Sequence, residues 1–221
     1  MKRPEQLTAD SRQLSDLRKL VAQGEGLRLE FKRKASFPDK IARELVAFAN
    51  TAGGTLLVGV DDDGSIPGVK YPEEERLVIE KELEATCRPA LPLATRIMRV
   101  SEKRFVLWID VDHSPKRPHY LVVKGKKVSF VREKDESLSA SREMQEVIRR
   151  LRTSKGVRFP YGDAEQKVIH FLADHPGITV GEFARLTGMN RFAASRKLVR
   201  LVVANVLRIT PAGKGDIYSR A

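Results

Sequence analysis

The chain has 221 residues, with 41 Lys/Arg against 29 Asp/Glu, a net charge of +12 and a pI near 9.9. It is 41% hydrophobic and 32% charged, which fits one or two folded domains and excludes a disordered or fibrous chain. A single cysteine, Cys87, excludes an internal disulfide and a multi-thiolate zinc site, and suits a reducing compartment.

The opening Met-Lys-Arg-Pro-Glu-Gln lacks the apolar core of a signal peptide. No apolar run approaches the ~20 residues needed to span a bilayer. A cytoplasmic location with no membrane partner is therefore expected. The basic excess is uneven: residues 141–221 hold 15 Lys/Arg against 7 Asp/Glu, and residues 1–140 hold 26 against 22. A concentrated positive field attracts polyanions, and nucleic acid is the usual one.

Residues 11–23 read as a helix with Leu14, Leu17, Leu20 and Val21 inward, ended by Gly24 and Gly26. Residues 27–33 alternate, with Leu27, Leu29 and Phe31 on one face and Arg28, Glu30 and Lys32 on the other, as in a half-buried strand. Pro38 opens a helix carrying Ile41, Leu45, Phe48 and Ala49, and Gly53-Gly54 stops it. Thr55-Leu-Leu-Val-Gly-Val60 is apolar on both faces, so a central strand is expected, turning at Asp61-Asp62-Asp63-Gly64.

A surface helix over 72–87 begins with Pro72 and three glutamates. Strands follow at about 95–101, 104–112 and 127–132, and a helix over 142–152 closes the unit. Without a regular βαβ alternation the fold class is α+β. Gly156, Pro160 and Gly162 mark a boundary, giving domains at 1–153 and 163–221 joined by a linker at 154–162.

In the second domain Asp163 and Gln166 read as a capping box, followed by Ala164, Val168, Phe171 and Leu172 on one helix face. Thr179 caps a short helix ending at Thr187-Gly188-Met189. A third helix starts near Asn190, with Ala194, Leu198 and Leu201 inward and Phe192, partly exposed, either core or packed against a sugar, core being preferred. Two strands, 206–209 and 216–219, flank a tip at Gly213-Lys214-Gly215. This order is that of a winged helix-turn-helix.

Its third helix offers Asn190, Arg191, Ser195, Arg196, Lys197 and Arg200 for base edges and phosphates, with Lys214 at the wing tip. The alternative is a winged helix used for protein pairing, with these side chains merely solvated.

Three stretches then line up with a family: Gly24-Glu-Gly-Leu-Arg-Leu-Glu-Phe-Lys32, Ala47-Phe-Ala-Asn-Thr-Ala-Gly-Gly-Thr-Leu-Leu-Val-Gly-Val-Asp-Asp-Asp-Gly64, and Pro118-His119-Tyr120 with Phe130-Val131-Arg132. Over about 11–153 the chain resembles the Schlafen-type, Alba-like domain. In bacteria such a domain often precedes a winged helix in proteins described as transcriptional regulators. The resemblance implies binding of DNA or RNA and, as in some animal members, cleavage of structured RNA. Cleaving members use two glutamates five residues apart and an aspartate after the Gly-Val, positions held here by Glu25, Glu30 and Asp62.

Carboxylates of this kind hold Mg²⁺ or Mn²⁺, and Lys32 would neutralise a phosphate. The polar turn at 61–63 and a Glu30–lysine or –arginine pair are the structural alternatives. This chain departs from the animal proteins in having one lobe and no zinc-ligand cluster, which disfavours a clamp on tRNA unless two chains pair. It has no phosphate-binding loop ending in Gly-Lys-Ser/Thr, so ATP is not expected. The four histidines lack metal-site spacing, and His119 reads as structural.

The sequence thus leads to a nucleic-acid-binding protein, a DNA-binding regulator first and a metal-dependent endoribonuclease using Glu25, Glu30 and Asp62 as the alternative. A module that only pairs proteins stands third.

Overall fold

The computed structural model describes residues 4–153, 161–212 and 215–221. The chain is α+β, and its contacts divide it into two units. Unit 1 comprises residues 1–114 and 119–137; unit 2 comprises residues 115–118 and 138–221.

Unit 1 is built on a four-stranded sheet. Its strands are β1 (Leu29–Lys32), β2 (Gly54–Val58), β4 (Ala94–Ser101) and β5 (Arg104–Val111), in the order β1-β2-β5-β4. β1 and β2 are parallel and joined through α2 (Pro38–Asn50); the other pairs are antiparallel. The doubly apolar run at 55–60 becomes the inner strand β2, with Leu56, Leu57 and Val58 fully buried. A strand covered on both faces needs apolar side chains on both.

On one face, Leu17 and Val21 of α1 (Pro4–Val21) pack on Leu29, Phe31, Leu57 and Trp108. On the other, α2 and α3 (Pro72–Thr86) pack Ile41, Leu45, Phe48, Ile79 and Leu83 on Leu56, Val58, Leu107 and Ile109.

Gly53 and Gly54 do distinct jobs at the α2–β2 turn. Gly53 has φ +72°, and a Cβ there would lie 2.8 Å from the Val111 carbonyl oxygen. A Cβ on Gly54 would sit 2.5 Å from the Phe48 ring. The turn therefore needs both the left-handed backbone and the missing side chain.

Four expectations change. Leu27 is 42% exposed and lies outside β1, whereas Glu30 is only 6% exposed. The polar face of β1 is thus covered, and the strand is not half-buried.

The strand expected over 127–132 is broken at Ser129 into β7 (Lys126–Val128) and β8 (Phe130–Glu133). Ser129 is fully buried and donates to the His119 carbonyl at 2.8 Å, while Asn50 donates to its hydroxyl at 3.0 Å. β7 joins β6 (Tyr120–Val123) and β3 (Cys87–Arg88), and β8 pairs with β9 (Glu136–Ser139).

The helix α4 (Arg142–Leu151), expected to close the first domain, packs in unit 2 instead, with Val147 in that unit's core.

Unit 2 continues with α5 (Asp163–Asp174), α6 (Val180–Thr187), α7 (Arg191–Val203), β10 (Leu207–Thr210) and β11 (Ile217–Arg220). Val168, Leu172, Phe183, Ala194, Leu198, Leu201 and Tyr218 fill its core. β10 and β11 pair antiparallel, and Ile178 bridges to Tyr218 on the far side of β11.

Thr179 caps α6 as expected, with Glu182 returning to the Thr179 N–H at 2.8 Å. The cap of α5 is Gly162, one residue before Asp163, and Glu165, not Gln166, accepts from its N–H at 3.1 Å. Residue 165 is the third helical position, and only from there does a glutamate reach back to the cap.

Candidate nucleic-acid interface

In unit 1 the buried partner of Glu30 is Arg132. Arg132 side chain is 0% exposed, although it comes from a short strand 102 residues away. Its guanidinium donates to Glu30 Oε2 at 2.5 Å, to the Glu44 carboxylate and to the Gly26 carbonyl at 3.0 Å. Ser137 donates to the same Glu44 carboxylate. Lys32 pairs with the other oxygen of Glu30 and donates to the Phe31 carbonyl at 2.8 Å. An arginine fork that satisfies two acids and a carbonyl is the geometry a buried cation requires.

Glu25 lies at the bend before β1 and accepts from the Phe31 N–H at 2.7 Å. Burial raises its pKa above the ordinary carboxylate value; the Phe31 N–H and Lys32 oppose this, while Glu30 and Asp62 add to it. Glu25 is therefore close enough to feel both Glu30 and Asp62. Asp62 is exposed in the turn after β2, next to Asp61, which pairs with Arg33 at 3.3 Å.

The three carboxylates do not suit a divalent cation as arranged. Both oxygens of Glu30 are taken by cationic side chains, and among the described residues no three His, Cys, Asp or Glu side chains are grouped to hold a metal.

Glu44 and Ser137 were missed by sequence reasoning. Glu44 falls on the polar side of an amphipathic helix, and only the fold shows that β8 covers it. His119 is fully buried; its Nδ1 meets the Pro89 carbonyl at 2.9 Å and its Nε2 meets Ser114 Oγ at 2.6 Å, a structural role.

In unit 2 the residues expected on the third helix divide into two groups. Asn190 caps α7, accepting from the Ala193 N–H at 2.9 Å. Ser195 donates to Glu143 of α4 at 2.9 Å. Lys197 pairs at 2.5 Å with Glu165, which is 4% exposed. That pairing and the Gly162 N–H hold the Glu165 carboxyl below its usual range against the effect of burial.

Arg191, Arg196 and Arg200 form no ion pair among the described residues. Phe192 is 71% exposed, with the Arg196 guanidinium 5.6 Å from its ring centre; it is not a core residue. Phe192, Arg196 and half-exposed Arg200 recur every four residues as a stripe along one side of α7, beside buried Val199, with buried Ala194, Leu198 and Leu201 on the other side. Beside the stripe, α4 and α7 enclose an open groove of about 690 Å³, lined by Arg142, Arg150, Arg191 and Arg196 but also by Glu143 and Glu146. Lys214 lies outside the described residues.

A four-stranded mixed sheet clad by helices, with a Glu–Arg–Glu cluster at its edge strand, makes unit 1 an α+β domain. Residues 25–141 match the model of the family described as Schlafen, AlbA_2, and the chain belongs to that family. The family points to a nucleic-acid-related role.

Among solved structures, the chain is similar to the N-terminal domain of a RecG-related protein from Nitrosomonas europaea (23% identity, 58% of this chain, 92% of that one, TM-score 0.44). It is also similar to the DIP2311 protein from Corynebacterium diphtheriae (18% identity, 96% of this chain, 38% of that one, TM-score 0.44). No curated protein matches it. No helix among the described residues is long and apolar enough to cross a membrane.

Proposed function

We propose that the protein is a DNA-binding regulator in which α5, α6, α7 and the β10–β11 hairpin form a winged helix-turn-helix. α7 enters the major groove through Phe192, Arg196 and Arg200. The observation that carries this reading is the stripe itself: three large side chains at helical spacing, two of them arginines without acidic partners among the described residues. Arginines in such a position serve phosphates or guanine edges, and an exposed phenylalanine suits a thymine methyl.

The family membership of unit 1 supports a nucleic-acid role without separating DNA from RNA. A metal-dependent nuclease centred on Glu25, Glu30 and Asp62 is the second reading. The closeness of Glu25 to both Glu30 and Asp62 favours it, and the engagement of Glu30 by Lys32 and Arg132 weighs against it.

The test selects a preferred duplex from random sequence and titrates it with wild-type and Arg191→Glu/Arg196→Glu protein. Binding should weaken with salt through counterion release and disappear in the variant. Undiminished binding removes α7 from the interface. Parallel incubations of duplex DNA and structured RNA with Mn²⁺ should leave both intact. Cleavage lost in Glu30→Gln and Asp62→Asn would establish the nuclease instead.

A further inference from the structure

Two helices of unit 1 begin alike. Phe37-Pro38-Asp39 opens α2, and Tyr71-Pro72-Glu73 opens α3. The aromatic residue is the N-cap in both, with almost the same backbone: φ −129°, ψ 76° at Phe37 and φ −124°, ψ 73° at Tyr71. Neither side chain makes a capping hydrogen bond, so these residues do not do what Ser, Thr, Asp or Asn does there. Nor are they core: Phe37 is 61% and Tyr71 53% exposed.

A lysine ammonium lies over each ring, Lys40 at 4.7 Å from the Phe37 centre and Lys70 at 4.8 Å from the Tyr71 centre. The two helix starts are tied together. The Ala35 N–H, in the segment leading to Phe37, donates at 2.6 Å to Glu75 in the first turn of α3. Arg33 and Lys34 in that segment are exposed, while two nearby acids, Asp39 and Glu73, are paired with Arg43 and Arg76.

Single exposed aromatic residues are ordinary. Two exposed rings on the same local backbone geometry, each with its own cation, at helix starts joined by the Ala35–Glu75 hydrogen bond, form a patterned surface. Aromatic faces alternating with cations are the chemistry that binds unpaired bases and their phosphates without sequence preference.

We propose that Phe37 and Tyr71 form a stacking platform for single-stranded nucleic acid. Each base stacks on the ring face opposite its lysine, and Lys34, Lys40 and Lys70 neutralise the adjoining phosphates. This site lies within unit 1 and does not depend on the role assigned to α7.

The experiment uses the full chain and compares a short fluorescent oligo-dT with an abasic strand of equal length. Wild type should bind oligo-dT more tightly than the abasic strand. Phe37→Leu/Tyr71→Leu, which keeps apolar bulk and removes the rings, should weaken oligo-dT binding about tenfold or more and leave abasic binding unchanged. In Phe37→Trp, indole emission should be quenched by oligo-dT and not by the abasic strand. Equal affinity for the two strands, or no loss on removing both rings, overturns the platform. Arg191→Glu/Arg196→Glu separates the two interfaces: it should lose the duplex and keep oligo-dT.

Discussion

Arg132 of β8 donates to Glu30 of β1 at 2.5 Å, and its other terminal nitrogen donates to Glu44 of α2. One buried guanidinium thereby ties an edge strand and the helix that follows it to a hairpin 102 residues from Glu30 and 88 from Glu44. Removing it would leave Glu30 with Lys32 alone, Glu44 with Ser137 alone, and the Gly26 carbonyl without its side-chain donor. Arg132→Met should cost about 3–5 kcal/mol in urea unfolding, the usual penalty for stranding buried charge. Adding Glu30→Gln and Glu44→Gln to the same protein should recover part of that loss. A cost within the range of an exposed ion pair, below ~1 kcal/mol, would show that the cluster does not hold the sheet edge.

Glu44 supplies a pH signature. Burial raises its carboxyl above the ordinary 4.5, against the opposing pull of Ser137 and Arg132. A raised native value means that the folded chain keeps the proton where the unfolded chain has released it. This contribution to stability is therefore complete below 4.5 and declines as pH rises through the native value. In Glu44→Gln the decline should vanish, so the stability of wild type minus variant should fall with rising pH across that window. A flat difference in melts from pH 4 to 7 would mean that Glu44 ionises as it does in water.

The sorting of basic residues on α7 gives opposite outcomes for neighbours. Arg196→Ala and Arg200→Ala should each reduce the magnitude of the slope of log K against log salt by about 1 while leaving stability almost unchanged. Lys197→Ala should leave the slope unchanged and destabilise unit 2, because buried Glu165 loses its cationic partner. Glu143→Gln should tighten duplex binding severalfold at low salt, since it removes a negative charge from the groove that Arg191 and Arg196 line. If all three basic substitutions shift the salt slope equally, the division of α7 into paired and unpaired cations is wrong.

Tyr218 carries a fully buried hydroxyl with no hydrogen-bond partner among the described residues. Burial, with Asp216 and Glu143 nearby, raises its pKa far above the usual phenol value, so the group stays neutral. An unpaired buried hydroxyl costs about 1–3 kcal/mol. Tyr218→Phe should therefore match or exceed wild-type stability, by about 1 kcal/mol, in thermal unfolding. A clear loss would reveal a partner for the hydroxyl.

Local pattern alone determined much of this protein. Periodicity placed α2, α3, β2 and the three C-terminal helices, because spacing of apolar residues and the Pro, Gly and Thr punctuation are local signals. The same spacing put Ala194, Leu198 and Leu201 inside α7 and left arginines outside.

Tertiary structure decided what no local window contains. Whether Glu30 faces water or Arg132 depends on a strand 102 residues later. Whether Lys197 is free depends on Glu165, and whether Phe192 is core depends on which face of α7 the other helices cover. Alternation tells which side chains share a face; only long-range packing tells what lies against that face, and it is the neighbour that sets charge, solvation and so function.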